Sequence, residues 1–121
     1  MSGQREIGLQ MEKKAAVFLI KKGYRILAHR YRSPYGEIDL IAQAGDFFVF
    51  VEVKYRRSLR HGQPCEAVNR EKQRRITRTA LCYIRERQLE DHLMRFDIVE
   101  ITRIDGKVAA RHIEHAFLPI L

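Results

Sequence analysis

The stretch Phe47-Phe48-Val49-Phe50-Val51-Glu52-Val53-Lys54 reads as a β-strand whose character changes along its length. Strand residues two apart point to one face. Phe48, Phe50, Glu52 and Lys54 therefore share a face that turns from aromatic to charged towards its C-terminal end. Phe47, Val49, Val51 and Val53 make the opposite face apolar throughout. The run before it, Gly36-Glu37-Ile38-Asp39-Leu40-Ile41, carries a further carboxylate in an equally apolar setting. Charge in such runs is costly to bury unless it is paired or binds a metal. Ala44-Gly45-Asp46 joins the two runs as a tight hairpin, and pairing across it would bring Asp39 and Glu52 into one site.

Working outward, residues 5–22 read as an amphipathic helix with Gly23 just past its end. Residues 24–30 read as a first strand, and Ser33-Pro34-Tyr35-Gly36 as a turn. The two runs above occupy about 37–43 and 47–54. Ser58 to Gln63 lacks periodicity and reads as a mobile loop, with His61 and Gly62 the candidates for meeting substrate. A long helix is expected over about 65–88, a strand over 95–101, a turn at Asp105-Gly106 and a last strand from Val108 to His115. The order α-β-β-β-α-β-β predicts an α/β protein with a mixed sheet packed against helices. At 121 residues the chain is expected to form one domain, residues 1–121.

No apolar run approaches the ~20 residues that span a bilayer, and the N-terminus has no secretory h-region. The expectation is a cytoplasmic protein with no membrane partner. Cys65 and Cys82 are too few for a disulfide framework or a zinc site. The five histidines lack metal spacing, and in a strand His112 and His115 would face opposite ways.

The net charge is +8, and its placement is uneven. Residues 54–87 hold eleven Lys/Arg against three Glu, and residues 1–32 hold eight against two. Residues 33–53 hold four acids and no base. An acidic centre in a basic frame suits a metal ion serving a polyanion.

Asp39 and Glu52 are hard oxygen donors of the type that suits Mg²⁺ or Mn²⁺, and a backbone carbonyl such as that of Val53 could add a ligand. Lys54 beside them is placed to orient or activate a water, or to offset charge developing on a phosphate. A lone E-x-K more often marks a solvent-facing pair at a strand end, so the case rests on the combination. Glu12 adds to it. Gly8, Glu12, Ala15, Ala16 and Leu19 share one stripe of the first helix, so this acid sits among small and apolar residues and is a candidate third metal ligand. Glu37, Lys72 and Gln73 are accessory candidates. Asp97, between Phe96 and Ile98, is explained as well by a buried salt bridge to an arginine. In the long helix Val68, Ile76, Ala80, Tyr83 and Ile84 form the apolar stripe, and Arg70, Arg74, Arg78 and Arg85 line the opposite side. With Arg56 and Arg57, Arg70, Arg74 and Arg78 are the candidates for holding a nucleic-acid backbone without reading sequence.

These residues carry a resemblance. Gly36-Glu37-Ile38-Asp39-Leu40-Ile41, Phe50-Val51-Glu52-Val53-Lys54-Tyr55-Arg56, Lys72-Gln73 and Arg95-Phe96-Asp97, preceded by the helix bearing Glu12, resemble the YraN-type bacterial proteins. The likeness runs from about Gly8 to Phe117. That family is grouped with the PD-(D/E)XK nuclease superfamily and is similar to archaeal Holliday-junction resolvases. The resemblance implies a restriction endonuclease-like fold, with a central mixed sheet flanked by helices, and Mg²⁺-dependent cleavage of DNA, branched or junction DNA included. It implies catalytic roles for Asp39, Glu52 and Lys54, and a metal-binding role for Glu12, Asp39 and Glu52. It also implies action as a homodimer, since junction-cutting relatives work in pairs. Two positions depart from the pattern: Ile38, not proline, precedes Asp39, and Arg30 stands where relatives often carry asparagine. The alternative expectation is a nucleic-acid-binding module without catalysis, serving repair, recombination or uptake through its basic helices.

Overall fold

The computed structural model describes residues 3–56 and 68–121, arranged as α1 (Gln4–Lys21), β1 (Arg25–Ser33), β2 (Gly36–Ala44), β3 (Phe47–Arg56), α2 (Arg70–Glu86), β4 (Leu93–Ile104) and β5 (Lys107–Phe117). This is the α/β architecture expected from the sequence, with a mixed five-stranded sheet in the order β1-β2-β3-β4-β5. β3 and β4 run parallel, and the other neighbours are antiparallel. A parallel pair needs a crossover, and α2 lies within that connection.

The alternation seen in the β3 sequence decides the layering. Phe48 and Phe50 join Ile76, Tyr83 and Phe96 in a core between the sheet and α2. Val49 and Val51 join Met11, Ala15, Leu19 and Leu40 in a second core between the sheet and α1. One helix thus covers each face, as expected where a sheet is apolar on both sides. Gly45 at φ +59 makes the β2–β3 hairpin, and Gly23 at φ +93 ends α1, with the Tyr24 N–H returning to the Leu19 carbonyl at 3.0 Å.

The second helix begins at Arg70, later than the sequence pattern suggested, because Asn69 accepts the Lys72 N–H at 2.9 Å and caps it. Residues 65–67 and the expected loop at Ser58 to Gln63, with His61 and Gly62, lie outside the described residues. His112 and His115 do not face opposite ways. The β4–β5 register shifts between Phe96 and Ile98, and His115 adopts φ +50. A bulge changes the phase of a strand. Both rings consequently pack on the α1 side, His112 against Phe18 and Tyr24, and His115 against Phe47.

Candidate functional site

The site lies where two strands part. The β2–β3 register runs from Ala44↔Phe47 to Leu40↔Val51. Beyond Leu40, β2 stays with β1 through Tyr31↔Ile38, while β3 stays with β4 through Val53↔Val99. In this fork the Asp39 Oδ2 accepts the Val53 N–H at 2.8 Å, so a side chain satisfies main chain just past the ladder. Glu52, on the α2 side of β3, is only 6% exposed. Its Oε1 lies 2.9 Å from the Lys72 Nζ on the first turn of α2 and 4.0 Å from the Lys54 Nζ. Asp39, Glu52, Glu37, Lys72 and Arg75 line a cavity of about 540 Å³, with Gly36, Asn69, Glu71 and Ile76 completing the wall.

The electrostatics are those of crowded like charges. Burial, then the neighbouring Glu52 and Glu12, push the Asp39 carboxyl up to about 8, against the Val53 N–H, which favours the anion. Burial and the adjacent Lys72 lower the Lys54 pKa. Burial also works against the Lys72 ammonium, but the facing Glu52 outweighs it and leaves that pKa above the ordinary lysine value. Asp39, Glu52, Lys54 and Lys72 therefore form one charge cluster at the fork.

The remaining candidates fall into distinct places. Glu12 is buried on α1, as its stripe predicted, and its two oxygens take a fork from Arg30 at 3.0 and 2.9 Å. Arg30 holds this pose with a left-handed backbone, φ +52, uncommon for a side chain of its size. Glu37 lines the cavity and pairs with Arg32 at 3.2 Å. The Gln73 amide donates to the Val68 carbonyl at 2.7 Å, securing the approach to α2. Arg56 is turned to the buried Glu100. Arg74 pairs with Glu71 at 3.0 Å, Arg70 is exposed, and Arg78 stacks over Tyr35. Arg57 lies outside the described residues. Arg75 was not singled out in sequence, although its position three residues after Lys72 puts it on the same helix face.

Asp97 belongs to a separate network. Arg95 forks onto it at 2.9 Å through both nitrogens, as the salt-bridge expectation held. His112 Nε2 donates at 2.7 Å, and the His115 N–H lies 3.2 Å away. Since the carboxylate only accepts, His112 carries its proton on Nε2 and takes the Lys22 ammonium on Nδ1 at 2.7 Å.

Among the described residues no group of three or more His, Cys, Asp or Glu gathers as a metal cluster. The Asp39–Glu52 pair still fits Mg²⁺, which keeps several waters and takes one or two carboxylates from a protein. Among the described residues no helix is long and apolar enough to cross a membrane.

Fold and site together define an α/β protein with an acidic cavity, lined by Asp39, Glu52 and Lys72, at a sheet fork. The model of the uncharacterised protein family UPF0102 matches residues 11–101, which include Glu12 and every residue lining that cavity, and the chain belongs to this family. It is 48% identical over 114 residues to UPF0102 protein STH1475 of Symbiobacterium thermophilum, covering 93% of this chain and 97% of the relative. A UPF0102 protein of Alkaliphilus metalliredigens is 45% identical over 114 residues, covering 93% and 98%. Another, THEYE_A1950 of Thermodesulfovibrio yellowstonii, is 44% identical over 112 residues, covering 93% and 96%.

Proposed function

We propose that this protein is a Mg²⁺-dependent (or Mn²⁺-dependent) endonuclease that hydrolyses phosphodiester bonds in DNA, with branched or junction DNA as its substrate class. The observation that carries the reading is the meeting of Asp39, Glu52 and Lys72 in one cavity at the fork of β2 and β3, with Lys54 4.0 Å from Glu52. The likeness to PD-(D/E)XK nucleases and archaeal junction resolvases supports it. Asp39 and Glu52 would hold the metal, with Glu12 available once Arg30 releases it. A metal bound there supplies Lewis-acid stabilisation of a phosphoryl oxygen and a more acidic water.

The chain's own groups do the rest. Asp39, set by the Val53 N–H, is fixed in direction, and burial keeps competing water from the Glu52 carboxylate. Lys54, with its lowered pKa, gives up or takes a proton more readily than an exposed lysine and is the residue to handle the attacking water. Lys72 offsets the Glu52 charge and lies at the cavity wall, where it meets an incoming phosphate. Symmetrical cutting of a junction needs two such sites, which a homodimer would provide. The setting is a cytoplasmic one.

A second reading, a nucleic-acid-binding module without catalysis, is favoured by one observation: Glu12 is engaged by Arg30, and among the described residues no three acids gather closely enough to hold a metal. Cleavage of a labelled four-way junction in Mg²⁺ or Mn²⁺ separates the two. Wild type should cut, and Asp39→Ala and Glu52→Ala should each lose cleavage by about 10³-fold or more, on the scale of removing one partner of a charge-stabilising site. Circular dichroism should show both variants folded, and DNA binding in chelator should persist. Binding without cleavage in wild type would instead establish the module.

A further inference from the structure

Beside the acidic cavity lies a second one of about 410 Å³, lined by Tyr35, Arg78, Leu81, Cys82 and Arg85. The turn after β1 divides them: Gly36 borders the acidic cavity and Tyr35 borders its neighbour. α2 serves both, with Arg75 and Ile76 on one side and Arg78 and Leu81 on the other. The turn is held firmly. The Tyr35 N–H donates to the Ser33 Oγ at 3.0 Å, and that oxygen lies 2.7 Å from the Thr79 Oγ1 of α2. Tyr35 is nevertheless 49% exposed, an aromatic ring presented to solvent on a fixed base.

The charges around it are unspent. Arg74 and Arg75 are tied to Glu71, and Arg87 to Glu86. Among the described residues, Arg78 and Arg85 have no carboxylate partner. The Arg78 guanidinium sits 5.8 Å from the centroid of the Tyr35 ring. Leu81 and Cys82 give the floor an apolar character. A flat ring, an apolar lining and two guanidinium groups without a carboxylate partner match a ligand with one flat π-face and one negative charge.

We propose that this cavity is a subsite for an unpaired nucleotide, with the base on Tyr35 and its phosphate held by Arg78 and Arg85. A duplex keeps its bases stacked on one another, so only a single-stranded arm, flap or frayed end can enter. Stacking on an aromatic ring tolerates any base, because every base has a π-face. Position next to the acidic cavity gives the subsite a purpose: it selects DNA in which a strand leaves the duplex close to the bond presented there. This inference rests on the nucleic-acid part of the proposed function and is independent of catalysis.

The test is fluorescence anisotropy of the full chain in EDTA, so that binding is read without cleavage. The probes are a labelled oligothymidine dodecamer, a blunt hairpin duplex and labelled heparin, which has charge but no bases. Tyr35→Ala should weaken binding of the dodecamer by about tenfold, in the range measured for loss of one stacked base. Tyr35→Phe should retain it. Duplex and heparin should change by less than about twofold, since the phosphate contacts survive. A parallel loss for heparin would mean that the cavity reads charge alone, and equal dodecamer affinity in Tyr35→Ala would mean that no base stacks there. Either overturns the subsite while leaving the nuclease reading intact. Failure of wild type to bind any DNA would overturn both.

Discussion

Asp39 and Asp97 are both carboxylates set within the sheet, and their surroundings have opposite effects. Asp97 is fully buried, at 0% exposure, yet receives two nitrogens of Arg95, the His112 Nε2 and the His115 N–H. Burial alone would raise its pKa, but the His112 and Arg95 hydrogen bonds win and hold it below the ordinary value. Asp39 is less buried and receives only the Val53 N–H, while burial and the charges of Glu52 and Glu12 push it up to about 8. One region has answered its buried charge with donors of its own. The other leaves it open towards a cavity, which is how a site that awaits a ligand differs from a structural knot.

The hardest way to break this contrast is to remove Asp97. Asp97→Ala leaves the buried Arg95 with only Tyr24 and the exposed Glu114 carboxylate and removes the side-chain tie from β4 to His112 and His115 of β5, and should cost about 3–5 kcal/mol, the usual cost of breaking a buried pair. Urea denaturation followed by circular dichroism measures it. A loss below about 1 kcal/mol would show that the network is ornamental and that donor number is a poor guide to role.

The next test uses Asp39, where the sign runs the other way. Its folded pKa stands above the ordinary carboxylate value of 3.8. The folded protein therefore holds a proton there that the unfolded chain has released, and stability should fall as pH rises from about 4 to about 8. Asp97, held low, contributes stability that is present above the ordinary value and lost as pH falls below it. Asp39→Asn should remove the alkaline decline and be more stable than wild type by roughly several kcal/mol at pH 8, with little difference near pH 4. Denaturation midpoints across that range check the Asp39 limb, and their extension below about pH 4 checks the Asp97 limb. A wild-type profile that stays flat above pH 4 would mean that the cavity relieves Asp39 by solvent, and the contrast with Asp97 would shrink to burial alone.

How much of this was legible beforehand follows from the range of each interaction. Alternation along residues 47–54 placed Phe48 and Phe50 with Glu52 on the α2 side, because that pattern is local and has period two. The stripe through Glu12 and Leu19 placed α1 on the sheet for the same kind of reason. The start of α2 was readable only from the Asn69 cap, which competes with a longer apolar pattern. The Lys22–His112–Asp97 chain was not readable, since it joins α1 to two strands across a bulge that shifts the phase of β5. Nor was the cluster at Tyr35: a turn residue and a helix residue 43 positions apart in sequence meet there, with no periodicity to link them.

The smallest effect concerns the residue that connects the two carboxylate readings. Arg30 spends a left-handed backbone, φ +52, to fork onto Glu12, and its charge also favours the anionic form of Asp39. In Arg30→Asn the backbone strain eases, because asparagine tolerates this region, while the fork is lost. Strain of about 1–3 kcal/mol and a partly exposed ion pair of about 1 kcal/mol are of similar size, so net stability should move by no more than about 1 kcal/mol. The titration of Asp39 should move in a definite direction all the same. With Arg30 gone, the Glu12 charge acts on Asp39 without its counter-ion, so the alkaline decline in stability should still begin near the ordinary carboxylate value but extend to higher pH than in wild type. An unmoved profile would show that Glu12 and the cavity are electrically separate, leaving Asp39 and Glu52 to hold any cation without it.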